Sequence, residues 1–141
     1  MTTSQNGINL IKKSEGCRLT AYQDSVDVWT IGYGHTKGVK EGDTITQAQA
    51  DEFLIEDIKP CENDINTHVH VQLTQNMFNA LVDFAFNLGT GSLNGSTLLK
   101  KVNAGLFQDA AIEFDKWIHA GSRVLAGLLA RREAEKQLFL S

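Results

Sequence analysis

One change of hydrophobic period divides this chain. From Thr46 onward the apolar residues recur at helical spacing. Phe53, Leu54, Ile58 and Ile65 follow a Thr46–Gln49 pair set three apart, as in a capping box. Residues 17–45 have a different texture. "VWTIGYGH" alternates and is rich in β-formers, and glycines stand at positions 32, 34, 38 and 42. That segment reads as a small antiparallel hairpin or three short strands, with Asp24 in the turn entering it and Thr30 on a strand. The fold class that follows is α+β: a small β-lobe, a connecting helix, and a helical lobe with most of the apolar residues.

The remaining elements follow from their punctuation. Ser4 or Asn6 caps a helix over about 6–15, Gly16 stops it, and Glu15 falls at its C-terminal end. Pro60 interrupts the connecting helix at a cost of about 3 kcal/mol, so the helix bends there or restarts. Beyond Leu73 the pattern is helical throughout, with stops at Gly89, Gly105 and Gly121 and a last helix in "SRVLAGLLARREAEKQLFL". No repeat, linker or low-complexity run appears. Residues 1–141 read as one domain, with a β-lobe at about 16–45 and a helical lobe at about 66–141 that includes the N-terminal helix.

Composition excludes several classes. The chain has 141 residues, with 42% hydrophobic and 21% charged content, which is globular rather than disordered. Its net charge of -4 lacks the basic footprint that phosphate binding needs, which argues against a nucleic-acid partner. Cys17 and Cys61 are too few for a disulfide scaffold and show no metal spacing; free thiols are expected. His68 and His70 lack a third ligand for a zinc site. No signal-peptide core, membrane anchor or bilayer-length apolar run is present, so a soluble chain made inside a cell is expected.

The stretch "SEGCRLTAYQDSVDVWTIGYGHT", residues 14–36, carries the chemistry. Two carboxylates are the minimum set for cleaving a glycosidic bond: one protonated to serve the leaving oxygen, one ionised to activate water or attack. A helix C-terminus, with its partial negative charge, favours a protonated carboxyl, which suits Glu15. A polar turn keeps a carboxylate solvated and charged, which suits Asp24. A threonine hydroxyl both donates and accepts, so Thr30 can hold a water. Spacing alone also fits a solvated helix end beside a turn aspartate.

The order of these residues is more specific. "SEG.RL.AYQDS...WTIGYGHT" resembles the catalytic region of the phage-type lysozymes, the endolysins of glycoside hydrolase family twenty-four. Their signature is a glutamate, eight residues, an aspartate, five residues and a threonine. Glu15, Asp24 and Thr30 match it. The resemblance continues through "GDTITQAQAD", "ALVDFAFNLG" and "GLLARREAE", over about residues 7–140. It implies a two-lobed lysozyme-like fold and a muramidase. Its substrate is the glycan strand of bacterial peptidoglycan, cut at the β-1,4 link from N-acetylmuramic acid to N-acetylglucosamine. Glu15 is then the general acid, Asp24 the base or nucleophile, and Thr30 the water-positioning partner. No cofactor or metal is implied. A monomer is expected, held in the host cytoplasm and released to the wall through a separate holin. A lytic transglycosylase and a non-catalytic peptidoglycan-binding module are the alternatives.

The same resemblance marks further positions. His35 pairs with Asp57 on the connecting helix as a structural element. Arg131 occupies the position whose arginine approaches the catalytic glutamate, though Glu135, four residues on, is a rival partner on a solvated helix face. Asn87 matches a cleft-lining polar position suited to an N-acetyl group, with Phe86 and Gly89 beside it and Tyr33 as a wall residue. Two departures stand out. Asp27 replaces a glycine common in relatives, at a turn suited to positive φ, and adds charge near Asp24. Cys17 replaces a more usual aliphatic residue near the acid.

Overall fold

The computed structural model describes residues 1–141. Its elements are α1 (Gln5–Glu15), β1 (Arg18–Gln23), β2 (Trp29–Gly32), α2 (Gln47–His68), α3 (Gln75–Leu88), α4 (Thr90–Asn94), α5 (Thr97–Asn103), α6 (Phe107–Glu113), a 3₁₀ turn at Phe114–Lys116, β3 (His119–Ala120), β4 (Arg123–Val124) and α7 (Ala126–Leu140). The α+β expectation holds. The backbone divides into two compact units, residues 11–60 and residues 1–10 with 61–141.

The unit of residues 11–60 is built on local signals. Gly16 adopts φ +69° and its amide closes α1 on the Lys12 carbonyl at 2.9 Å. β1 and β2 pair antiparallel, with Tyr22 opposite Thr30 and Gln23 opposite Trp29. The Thr46 amide donates to Gln49 Oε1 at 2.9 Å, and the Gln49 amide to Thr46 Oγ1 at 3.1 Å. This reciprocal box satisfies two N–H groups that would otherwise be orphaned at the start of α2. Ile11, Ile31, Ala50, Leu54 and Ile58 are buried as its apolar centre.

The second unit is centred on α3, whose residues Phe78–Ala85 are all buried. Thr74 caps α3 by accepting from the Met77 amide, and Gly89 ends it at φ +92°. Phe84, Phe114, Trp117 and Phe139 meet edge to face, with centroids 5.4–5.8 Å apart. Such pairs add about 0.5–1.5 kcal/mol each beyond their burial.

One alternative falls away and one expectation needs correction. α2 runs unbroken as helix through Pro60; it does not restart there. The segment from Leu73 is not all helical either. After Phe114–Lys116 the chain forms a two-residue hairpin, His119–Ala120 against Arg123–Val124, with Gly121 at φ +63° in its turn. Glycine there turns a hairpin rather than ending a helix. The short helix α4 is an addition.

Candidate active site

Glu15 is the last residue of α1 and is half-buried. Its carboxylate is placed by the tight "IGYGH" turn. Ile31 and His35 exchange both backbone hydrogen bonds, at 2.8 and 2.9 Å, across Gly32, Tyr33 and Gly34. Gly34 has φ +84°, and a Cβ built on it would lie 3.5 Å from Glu15 Oε2. The positive φ is what calls for glycine here, since a Cβ at that distance would be in ordinary contact with the carboxylate.

Asp24 stands where the β1–β2 hairpin turns. Its Oδ1 accepts from the amides of Val26 and Val28, both at 2.9 Å. Its carbonyl accepts from the Asp27 amide at 3.0 Å, and Asp27 sits at φ +63°. A type I turn followed by a left-handed residue is the three-residue hairpin connection with a bulge, whose last position suits glycine. The turn expected at Asp27 is thus present, with aspartate in the glycine position. Both amides fall on Oδ1 and neither on Oδ2.

Thr30 is buried, and its hydroxyl donates to the Val28 carbonyl at 2.9 Å. The donated proton leaves the oxygen's remaining lone pair as an acceptor. Thr30 lies opposite Tyr22 in the hairpin, and its hydroxyl bonds the same Val28 carbonyl that accepts from the Asp24 amide.

Around these three, His35 Nδ1 meets Asp57 Oδ2 at 2.8 Å, as expected, and its ring stacks on Phe53 at 4.2 Å. Its other nitrogen, Nε2, lies 3.0 Å from the Lys37 carbonyl. This arrangement clamps the loop after β2 onto α2. Tyr33 is buried, and its hydroxyl accepts from Gln47 at 3.0 Å. Lys12 pairs with Asp51 at 3.0 Å; that hydrogen bond holds the lysine above and the aspartate below their usual ranges.

The remaining sequence candidates belong to the second unit. Phe86 and Asn87 are half-buried in the last turn of α3, and Gly89 is exposed. Arg131 does not lie on a solvated face and does not pair with Glu135. It is buried, and donates to both oxygens of the fully buried Asp83 at 3.0 and 2.9 Å. Glu135 belongs instead to Arg132, through a fork at 2.6 and 2.9 Å. Burial and the neighbouring Asp83 push the Glu135 carboxyl well up, against the pull of Arg132. Arg132 is the residue that sequence reasoning missed. A signal existed: Leu128, Arg132, Glu135 and Phe139 fall on one helical stripe, and Phe139 is core.

Known proteins match this chain along its length. The family described as Phage lysozyme matches residues 12–135. The endolysin of Acyrthosiphon pisum secondary endosymbiont phage 1 is 48% identical over 145 residues, covering 100% of this chain and 99% of that one. The endolysin of Bacillus phage B103 is 44% identical over 144 residues; the chain spans only 55% of its length. Among solved structures, the muramidase domain of SpmX from Asticaccaulis excentricus superposes with a TM-score of 0.95 at 43% identity, covering 99% of this chain and 98% of that one. A glutamate closing α1 over a glycine turn, an aspartate in a bulged hairpin and a threonine on its second strand are thus set in a matching sequence and fold, and the chain belongs to the phage lysozyme family, as a glycoside hydrolase that degrades peptidoglycan.

Proposed function

We propose that Glu15, Asp24 and Thr30 cleave the β-1,4 bond between N-acetylmuramic acid and N-acetylglucosamine by a single displacement. Glu15 carries a proton to the leaving glycosidic oxygen. A water donates one hydrogen to Asp24 Oδ2 and the other to Thr30 Oγ1, which has already given its own to Val28. The water's lone pair is then directed at the anomeric carbon as Asp24 takes the proton. The Val28 carbonyl, shared by the Thr30 hydroxyl and the Asp24 amide, carries this reading. Inversion of the anomeric centre is the expected product, and NMR of the fresh product reads it; a retained anomer would make Asp24 the nucleophile instead.

The central test is Glu15→Gln, assayed by turbidity loss of chloroform-treated bacteria. Lysis should fall by about 10²–10⁴-fold, the usual contribution of a general acid, with the circular dichroism unchanged. Lysis near the wild-type rate would overturn the assignment. An anhydro sugar in the wild-type product would point to a transglycosylase.

Residues 1–141 act, in this reading, as one monomeric catalytic domain. The relatives are called endolysins, and no helix of this chain is long and apolar enough to cross a membrane. These two observations support a cytoplasmic enzyme released to the wall by a separate holin. Expression without a holin should leave cells intact until chloroform is added.

A further inference from the structure

Lys12 and Glu15 share the last turn of α1, and the Gly16 amide closes that turn on the Lys12 carbonyl at 2.9 Å. Residues three apart on a helix are neighbours on its surface. Helix ends fray, so a side chain on the last residue is held in one direction only by contacts made outside the helix. Glu15 and Lys12 meet the same backbone turn at residues 31–35. A Cβ built on Gly34 would lie 3.5 Å from Glu15 Oε2, and Lys12 Nζ stands 5.4 Å from the centroid of the neighbouring Tyr33 ring. Lys12 Nζ also lies 3.0 Å from Asp51 Oδ1 on α2. The Gln47 NH2 donates to that same oxygen and to the Tyr33 hydroxyl, both at 3.0 Å. Lys12, Asp51, Gln47 and Tyr33 thus form a closed circuit over three segments, all within the unit of residues 11–60. With Lys12 29% and Asp51 43% exposed, the ion pair adds little to global stability. Its effect is local, on the turn that ends in Glu15.

We propose that Lys12 is a positioning residue for Glu15: through Asp51, Gln47 and Tyr33 it holds the last turn of α1 in one register on the 31–35 turn, so that the Glu15 carboxyl is presented at a fixed place. The inference rests on the reading of Glu15 as the general acid. A residue of this kind acts on the chemical step rather than on binding. A misplacement of about 1 Å at a reacting group can cost about 10²-fold in rate.

Lys12→Met tests this directly. It keeps an unbranched stem and a good helix former, and removes the ammonium. On soluble peptidoglycan, kcat should fall about 10–100-fold with KM within about twofold, the pattern of lost transition-state positioning. The urea midpoint should stay at the wild-type value, while the Gly16 amide exchanges with solvent about tenfold faster as the turn frays. Lys12→Arg keeps a charge for Asp51 and a cation for the Tyr33 ring, and should recover kcat to within about threefold of wild type. Adding Asp51→Asn to Lys12→Met should deepen the loss little, because both changes open the same circuit. Wild-type kcat in Lys12→Met, a loss carried by KM instead, or a loss that Lys12→Arg does not recover would overturn the inference. Lysis at the wild-type rate in Glu15→Gln would overturn the acid reading instead. The Gly16 exchange needs no substrate and then still decides whether Lys12 fixes this turn; unchanged protection in Lys12→Met means that it does not.

Discussion

Asp24 and Val28 are tied to each other twice: the Val28 amide donates to Asp24 Oδ1 at 2.9 Å, and the Asp24 amide donates to the Val28 carbonyl at 2.9 Å. The same carbonyl also receives the Thr30 hydroxyl. One side chain therefore builds the turn and, in the mechanism proposed above, supplies the reactive carboxylate. The two duties can be separated. Asp24→Asn keeps an acceptor oxygen for the Val26 and Val28 amides but removes the charge. We expect it to unfold within about 0.5 kcal/mol of wild type while losing about 10²-fold or more in lysis. Asp24→Ala should lose lysis and also about 1–2 kcal/mol, because two amides lose their partner. Urea titration beside the turbidity assay distinguishes the variants.

Asp27 occupies the left-handed position of that turn at φ +63°. A side chain there costs roughly 1–2 kcal/mol, less for aspartate than for most residues. Asp27→Gly should raise stability by about 0.5–1 kcal/mol, after allowing for the greater freedom glycine gives the unfolded chain. Asp27→Val, with a branched Cβ, should lower it by more than 1 kcal/mol. A shift in urea midpoint without a change in slope would show that the turn alone is responsible. A less stable Asp27→Gly variant would contradict the strain argument.

These turn residues also show where the sequence was informative. The Thr46–Gln49 box, the Thr74 cap and the stops at Gly16 and Gly89 use groups within four residues of each other. Local chemistry is sufficient to specify them, whereas Glu15, Asp24 and Thr30 were legible only through the resemblance of the whole stretch 14–36 to the phage-type lysozymes, because their spacing alone also fits a helix end beside a turn. The hairpin at 119–124 was not, since two-residue strands are too short to show a period. Nor was the burial of Arg131 and Arg132. Composition places an arginine outside by default. Only the packing of α7 against α3 brings Asp83 and Asn87 within reach.

Arg131 and Asp83 form the most buried ion pair joining two elements of the second unit, with fractional exposures of 8% and 0%. Removing one partner of such a pair is strongly destabilising, by about 3–5 kcal/mol, because the other charge keeps its desolvation cost and loses its bonds. Asp83→Ala strips Arg131 of two charge-assisted bonds. Its melting temperature should fall by roughly 10 °C or more for a chain of this size. A fall of only a few degrees would mean that water reaches the guanidinium and that the pair is not sealed.

Cys61 provides a pH signature that can be read apart from catalysis. Burial first, and then the charges of Asp64 and Glu62, push its thiol up to about 11 from an ordinary 9.0. Below pH 9 the thiol is protonated in both folded and unfolded chains and contributes no pH dependence. Between about pH 9 and 11 the unfolded chain releases this proton while the folded one retains it, so stability must fall as pH rises. The full loss is on the order of 3 kcal/mol for this one group. Lys12 and Lys136, both raised by acidic partners, add their own loss in the same direction at still higher pH. The comparison is therefore between wild type and Cys61→Ala. The variant starts lower because of the cavity it leaves, but its urea midpoint should decline less steeply from pH 9 to 11. In wild type, a thiol reagent at pH 8 should label the exposed Cys17 at once and Cys61 only on unfolding. Equal labelling rates, or parallel pH slopes in the two proteins, would show that the Cys61 thiolate is not disfavoured by its surroundings.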